Sequence, residues 1–190
     1  LEKKTKLFGV RLLDNPSVYK IANKRKSAEV RPVVGPTLTE LLKANYGANL
    51  EFHFYDLEPP VKNNSFGEYK IRTVAVNGVE IVSNVNARAK CPFKGINGCK
   101  EISEATSAAL VEKYGLVADE PADFQDENGN IYTVMLSLVL TVDGEFSSGY
   151  DLIENANGLF LSLGINWSEQ SLMNKFGIDP DSKKNVDTNF

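Results

Sequence analysis

One histidine and two cysteines in 190 residues leave little from which to build a metal or redox centre. His53 is distant in sequence from Cys91 and Cys99, and the three match no zinc-ligand spacing, so no metal or cofactor is expected. Without partners, His53 reads as an ordinary surface or interface histidine on the polar side of its strand. Cys91 and Cys99 flank Pro92 and an Asn97-Gly98 turn, a separation that suits a disulfide-closed loop or two free thiols. No apolar run approaches the 18 or so residues of a membrane-spanning helix, so membrane insertion is not expected. The opening Leu-Glu-Lys-Lys-Thr-Lys has no signal-peptide core behind it, and a start on Leu1 rather than Met points to removal of a preceding segment.

Catalytic signatures are missing as well. There is no G-x-S-x-G elbow, Walker loop, dinucleotide glycine pattern or H-E-x-x-H. The nearest glycine-rich segment, Lys94-Gly95-Ile96-Asn97-Gly98, reads as a turn. Asp126-x-Asn128-x-Asn130 places oxygens at the first three ligand positions of a calcium loop, but Ile131 stands where the loop needs Gly and Ser137 where it needs Glu. A hairpin turn explains that segment better. Thirteen acids within residues 117 to 190 form pairs by chance, so they carry little weight as general acid and base. The chain is therefore read as non-catalytic.

Composition is that of a single globular domain, with 42% hydrophobic and 24% charged residues and no excess of Gly or Pro. The charges are sorted along it. Residues 1 to 31 hold nine bases against three acids, residues 117 to 190 hold three bases against thirteen acids, and the middle is neutral. Such asymmetry suits a basic arm for a polyanion, or two complementary surfaces that meet between copies of the chain.

Patterning predicts an α+β fold with a largely antiparallel sheet built from hairpins and about three short helices, as one domain over residues 1–180 with a basic N-terminal segment over 1–31 and a mobile tail over 181–190. Four Asn-Gly pairs mark turns, at Asn77-Gly78, Asn97-Gly98, Asn128-Gly129 and Asn157-Gly158. The first separates Tyr69–Val76 from Val79–Asn86, a hairpin. Strands are also expected near Lys6–Leu13, within Ser17–Val34, at Leu50–Tyr55 with Leu50, Phe52 and Phe54 on one face, and at Leu159–Trp167. Ile131–Val142, apolar at both parities, reads as a central strand covered on both faces. Three helices end alike, each with a Leu four residues before an aromatic that precedes Gly, at Tyr46-Gly47, Tyr114-Gly115 and Phe176-Gly177. Thr37, Ser103 and Ser168 are their expected N-caps, with Glu40 completing a capping box for the first. Pro59-Pro60 begins an exposed loop, and Ala118–Asn130 reads as a long acidic one.

Three functions fit. The first is a non-catalytic structural or assembly subunit, of the kind found in virions or filaments, whose copies dock basic N-terminal surface against acidic C-terminal surface. The second is a single-strand nucleic-acid-binding protein using Lys20, Lys24, Arg25, Lys26 and Arg31, with Lys70 and Arg72 on the hairpin. The third is a small enzyme with an acid-based site. The expected partners are copies of the chain, another protein or nucleic acid.

Overall fold

A computed structural model of the protein describes residues 3–29 and 31–183. The chain begins with a tight hairpin, β1 (Lys6–Leu7) and β2 (Val10–Arg11), followed by β3 (Lys20–Ser27), α1 (Leu38–Tyr46), β4 (Leu50–Glu58), β5 (Glu68–Val76) and β6 (Val79–Lys90). Then come α2 (Lys100–Tyr114), β7 (Ala122–Gln125), β8 (Ile131–Val142), β9 (Glu145–Phe146), α3 (Tyr150–Asn155), β10 (Gly158–Asn166) and α4 (Glu169–Phe176). Apart from the first hairpin, the strands form one sheet of eight in the order β3-β4-β5-β6-β10-β8-β7, with β9 also on β8. Every pairing in it is antiparallel. The α+β architecture read from the sequence is the architecture observed. None of the helices among the described residues is long and apolar enough to cross a membrane.

Residue parity assigns the two faces. On one, Tyr55, Ile71, Val85, Ala87, Leu136, Leu161 and Leu163 are buried against the β1–β2 hairpin and α2. On the other, only one end is covered, where Leu50, Val74, Val76 and Ile81 pack on Leu42 of α1 and on Leu172 and Met173 of α4. Beyond that end the second face is only partly exposed: Met135 is 46% exposed, while Asn86 and Thr141 are buried. It positions the candidate site.

Local chemistry accounts for most boundaries. Asn77 and Gly78 turn the β5–β6 hairpin with φ of 50° and 86°, the left-handed pair such a turn requires. Gly47, Gly115 and Gly177 end α1, α2 and α4 in the left-handed region. Thr37 and Glu40 close a reciprocal capping box on α1, and the Ser168 hydroxyl caps α4.

Several expectations are corrected. The single strand near Lys6–Leu13 is a hairpin, because Phe8 and Gly9 are left-handed and reverse the chain. Its backbone is locked against the Pro59-Pro60 loop: Val61 N–H donates to Phe8 O, and a Cβ on Gly9 would lie 2.8 Å from Pro60 Cβ. α2 starts at Lys100 with Cys99 at its cap, not Ser103, since a 3-10 turn over Ile96–Cys99 runs straight into the helix. Cys91 and Cys99 are joined in a disulfide. A fourth helix, α3, had no periodic signature in its six residues. β8 is covered on one face only in its first half: Leu136 is buried, whereas Met135 is 46% exposed, because α1 and α4 do not extend that far; toward the end of the strand Thr141, on the Met135 face, is buried.

The acidic stretch Ala118–Asn130 contains β7, so its loop is shorter than expected. Asp126 closes that hairpin by accepting from Asn128 N–H, Asn130 N–H, Asn130 Nδ2 and Tyr132 Oη. Asn157-Gly158 is not a turn but leads β10 in; a Cβ on Gly158 would lie 2.4 Å from Thr141 Oγ1. Of the tail expected over 181–190, Asp181 and Ser182 belong to a 3-10 turn, and residues 184–190 lie outside the described residues.

Candidate functional site on the open sheet face

Register lays the open face out in rows across the sheet. One runs Arg25, Phe54, Arg72, Asn84, Gly164, Met135; the next Ala22, Asp56, Lys70, Asn86, Ser162, Ser137; beyond it Lys20 is opposite Glu58, and Glu68, Arg88, Phe160 and Val139 form a further row. A polar floor of amides and hydroxyls is thus bracketed by an arginine and a phenylalanine on either side. The floor is ordered by a chain of hydrogen bonds. Asn86 Nδ2 donates to Asn84 Oδ1 at 3.0 Å, and Asn84 Nδ2 donates to Ser162 Oγ at 2.6 Å. Gly164 leaves room for that amide, since a Cβ there would lie 2.8 Å from Asn84 Nδ2.

The Arg72 guanidinium lies 4.6 Å from the Phe52 ring centroid and 5.8 Å from that of Phe54, and Arg88 lies 5.7 Å from Phe160. Phe160 is itself held edge-on by Phe146 at 5.1 Å. Arg72 Nη2 donates to Ala28 O at 3.1 Å, while the buried Nε atoms of Arg72 and Arg88 have no hydrogen-bond partner among the described residues. Neither arginine has a carboxylate within 4.0 Å among the described residues, although Glu29 is near enough to Arg72 to act on it electrostatically. Burial pulls the Arg72 guanidinium below its ordinary pKa, and Glu29 opposes this. A cation held on an aromatic ring without a counter-ion is disposed to take an anion, and its planar group offers an outer face for stacking. Over this floor lies a cleft of about 560 Å³, walled by Pro32, Leu38 and Trp167.

The sequence-selected cations divide between the two faces. Arg25, Lys70 and Arg72 share the open face, with Arg25 paired to Asp56. Lys20 is paired to Glu58 at the sheet corner, and Arg31 Nη2 is 3.1 Å from Glu40 of α1. Lys24 turns to the other face, 3.3 Å from Glu80 Oε2 and 5.5 Å from the Tyr55 ring centroid. A bulge between Ala22 and Arg25 causes the turn, with Asn23 at φ 54°. Lys26 stands opposite His53, on the Lys24 side. Lys20, Lys24, Arg25 and Arg31 are thus met by acids of residues 40–80 rather than of the acidic C-terminal third.

Arg88, Asn84, Asn86, Ser162 and Phe160 were missed in the sequence. The signal was there: in Asn84-Val85-Asn86-Ala87-Arg88 every second residue is polar, on a strand whose intervening residues are apolar.

His53 is also corrected, being 4% exposed rather than on the surface. Its Nδ1 is 3.3 Å from Glu80 Oε1 and its Nε2 is 3.5 Å from Glu51 Oε2. Glu80 accepts hydrogen bonds from Tyr55 Oη, from Thr73 Oγ1 and from Lys24. Burial pushes the Glu80 carboxyl up, but these donors outweigh it and hold the group below its usual range. Among the described residues no group of three or more His, Cys, Asp or Glu is placed to hold a metal ion.

Compared with known proteins, the chain matches no family model, no curated protein and no solved structure.

Proposed function

We propose that the protein is a non-catalytic binding protein whose open sheet face holds a single-stranded nucleic acid. The observation that carries this reading is the pair Arg72 and Arg88, each lying on a phenylalanine ring with no carboxylate within 4.0 Å among the described residues, on either side of the Asn84, Asn86 and Ser162 floor. Guanidinium planes can stack on bases and bind phosphates, while amides read base edges. A broad sheet face accepts a splayed-out strand more readily than it enters a duplex groove. Across β3 to β6 this face carries six basic side chains (Lys20, Arg25, Lys70, Arg72, Arg88, Lys90) against three acidic ones (Asp56, Glu58, Glu68), although the chain as a whole is acidic.

Fluorescence anisotropy with labelled single-stranded DNA and RNA tests the proposal. Binding is expected at low salt, falling as salt rises, with a loss of tenfold or more in an Arg72→Ala, Arg88→Ala double variant and none in Lys26→Ala. No binding to either strand at low salt overturns it.

A second reading, self-assembly, is favoured by the sheet edges. One edge is β3, with Lys24, Arg25 and Lys26. The other is β7, with Asp123, next to Asp119, Glu120 and Glu127. Copies joined edge to edge would form a heterologous, extendable contact. Light scattering at low and high salt should show larger species at low salt only; a strict monomer at high concentration and low salt sinks this reading.

A further inference from the structure

On the face of the molecule that carries the β1–β2 hairpin, two adjoining cavities lie between that hairpin, the loop after Pro60 and α2. The outer one, of about 640 Å³, has Phe8, Val61 and Ala109 in its wall and Lys3, Lys6 and Lys113 around it; Glu112 is the one acid among its lining residues. The inner one, of about 270 Å³, shares Phe8, Val61, Ala109 and Lys113 and continues to Phe66, Ile102 and Leu161. Lysines concentrate at the outer chamber, whereas Leu7, Phe66, Leu110 and Leu161 of the main core floor the inner one, which Lys62, Asn63, Ser65 and Thr106 also line.

Lys3, Lys6 and Lys113 have no carboxylate within 4.0 Å among the described residues, and Lys113 rests 5.4 Å from the Tyr114 ring centroid. The outer chamber is within the range that small ligands fill, roughly 300–1,000 Å³, and the inner one adds a smaller extension to it. Burying its walls against an alkyl chain is favourable in proportion to the apolar area removed from water. A cationic mouth selects for an anionic end on that chain. The elements around the site are tied to their neighbours. The hairpin is bonded to the loop through Val61 N–H and Phe8 O, and α2 starts at the disulfide that ties Cys99 to Cys91.

We infer that this two-chambered cavity is a binding site for a free single-chain amphiphilic anion, its alkyl tail in the inner chamber and its carboxylate or comparable head among Lys3, Lys6 and Lys113. The site is separate from the open sheet face and does not depend on what that face binds. It does not require a membrane surface, because the cavity takes one chain from solution.

Isothermal titration calorimetry with dodecanoate, kept below its micelle concentration, tests the inference. A single saturable site is expected, with a negative heat-capacity change from apolar burial. Dodecanol should bind at least tenfold more weakly than dodecanoate. Ala109→Phe, placed where the chambers adjoin, should abolish dodecanoate binding, and a Lys6→Glu, Lys113→Glu double variant should weaken it at least tenfold while leaving dodecanol binding unchanged. Circular dichroism and melting curves establish that each variant is folded; Ala109→Leu serves if Ala109→Phe is not. No saturable binding of dodecanoate overturns the inference. Equal affinity for dodecanol overturns it too, as does binding to anionic phosphatidylglycerol vesicles without binding to free dodecanoate.

Discussion

Tyr132 donates its hydroxyl hydrogen to Asp126 Oδ2 across 2.7 Å, joining the first turn of the β7–β8 hairpin to the strand that follows it. Burial pushes the Asp126 carboxyl up, but the donors from Asn130, Tyr132 and Asn128 outweigh this and bring it down to about 2. A carboxyl depressed in the folded state adds stability that is present above its unfolded value, near 3.8, and lost as pH falls toward 2. Burial and the same carboxylate push Tyr132 up to about 12, so its contribution is retained below its unfolded value of 10 and lost as pH rises from there to 12. Melting curves across acid pH should therefore show a loss of stability between pH 4 and 2 that is flatter in Asp126→Ala. At neutral pH that variant should be less stable by about 1–2 kcal/mol, as for other lost backbone caps.

Closing the Cys91–Cys99 bond constrains a short loop, and chain-entropy arguments assign it about 2–3 kcal/mol. Reduction, or a Cys91→Ser, Cys99→Ser double variant, is expected to lower the melting temperature by roughly 5–10 °C for a chain of this size. Gly98 is as constrained as the cysteines. A Cβ there would lie 2.0 Å from the Phe93 carbonyl oxygen, so Gly98→Ala should be at least as damaging as reduction in the same melting experiment.

Local signals were the legible part of the fold. Asn77-Gly78, the three glycine helix ends and the alternation of Leu159, Leu161 and Leu163 each declare their structure within a few residues, because backbone sterics and side-chain parity act at that range. What could not be read was which face a neighbour covers. Glu51, His53 and Tyr55 alternate as a solvent face would, yet His53 and Tyr55 are buried, since Glu80 from β6 supplies the polar partner. Likewise Lys24, Arg25 and Lys26 form one basic run in sequence, and while strand alternation separates Arg25 from its neighbours, only the β3 bulge decides that Arg25, and not Lys24 and Lys26, shares the open face with Ala22. The candidate site was half visible: Arg72 and Lys70 stood out by charge, whereas Arg88 and the asparagines needed β10 beside β6 to become a surface.

One-sided burial of β8 has a direct test. Leu136 is fully buried among Leu163 and the core, whereas its neighbour Met135 is 46% exposed. Leu136→Ala should cost about 2–5 kcal/mol in urea unfolding, and Met135→Ala less than about 0.5 kcal/mol. Equal losses at the two positions would mean that the second face is covered there after all.

Glu80 is the node of the polar cluster around His53, and its removal should be far more costly than its neutralisation. Tyr55 and Thr73 are 8% and 0% exposed, so their hydroxyls have no water to turn to once the Glu80 carboxylate is gone. Leaving two buried donors unsatisfied costs about 2–4 kcal/mol, so Glu80→Ala should be destabilised by that amount in urea unfolding. Glu80→Gln keeps an acceptor oxygen while losing the charge opposite Lys24, and a smaller loss, about 1 kcal/mol, is expected. Adding Tyr55→Phe to Glu80→Ala removes one stranded hydroxyl. If the unsatisfied donor is the cause, the double variant is more stable than the sum of the two single changes allows. Strict additivity would place the cost of Glu80→Ala in lost packing or lost charge instead.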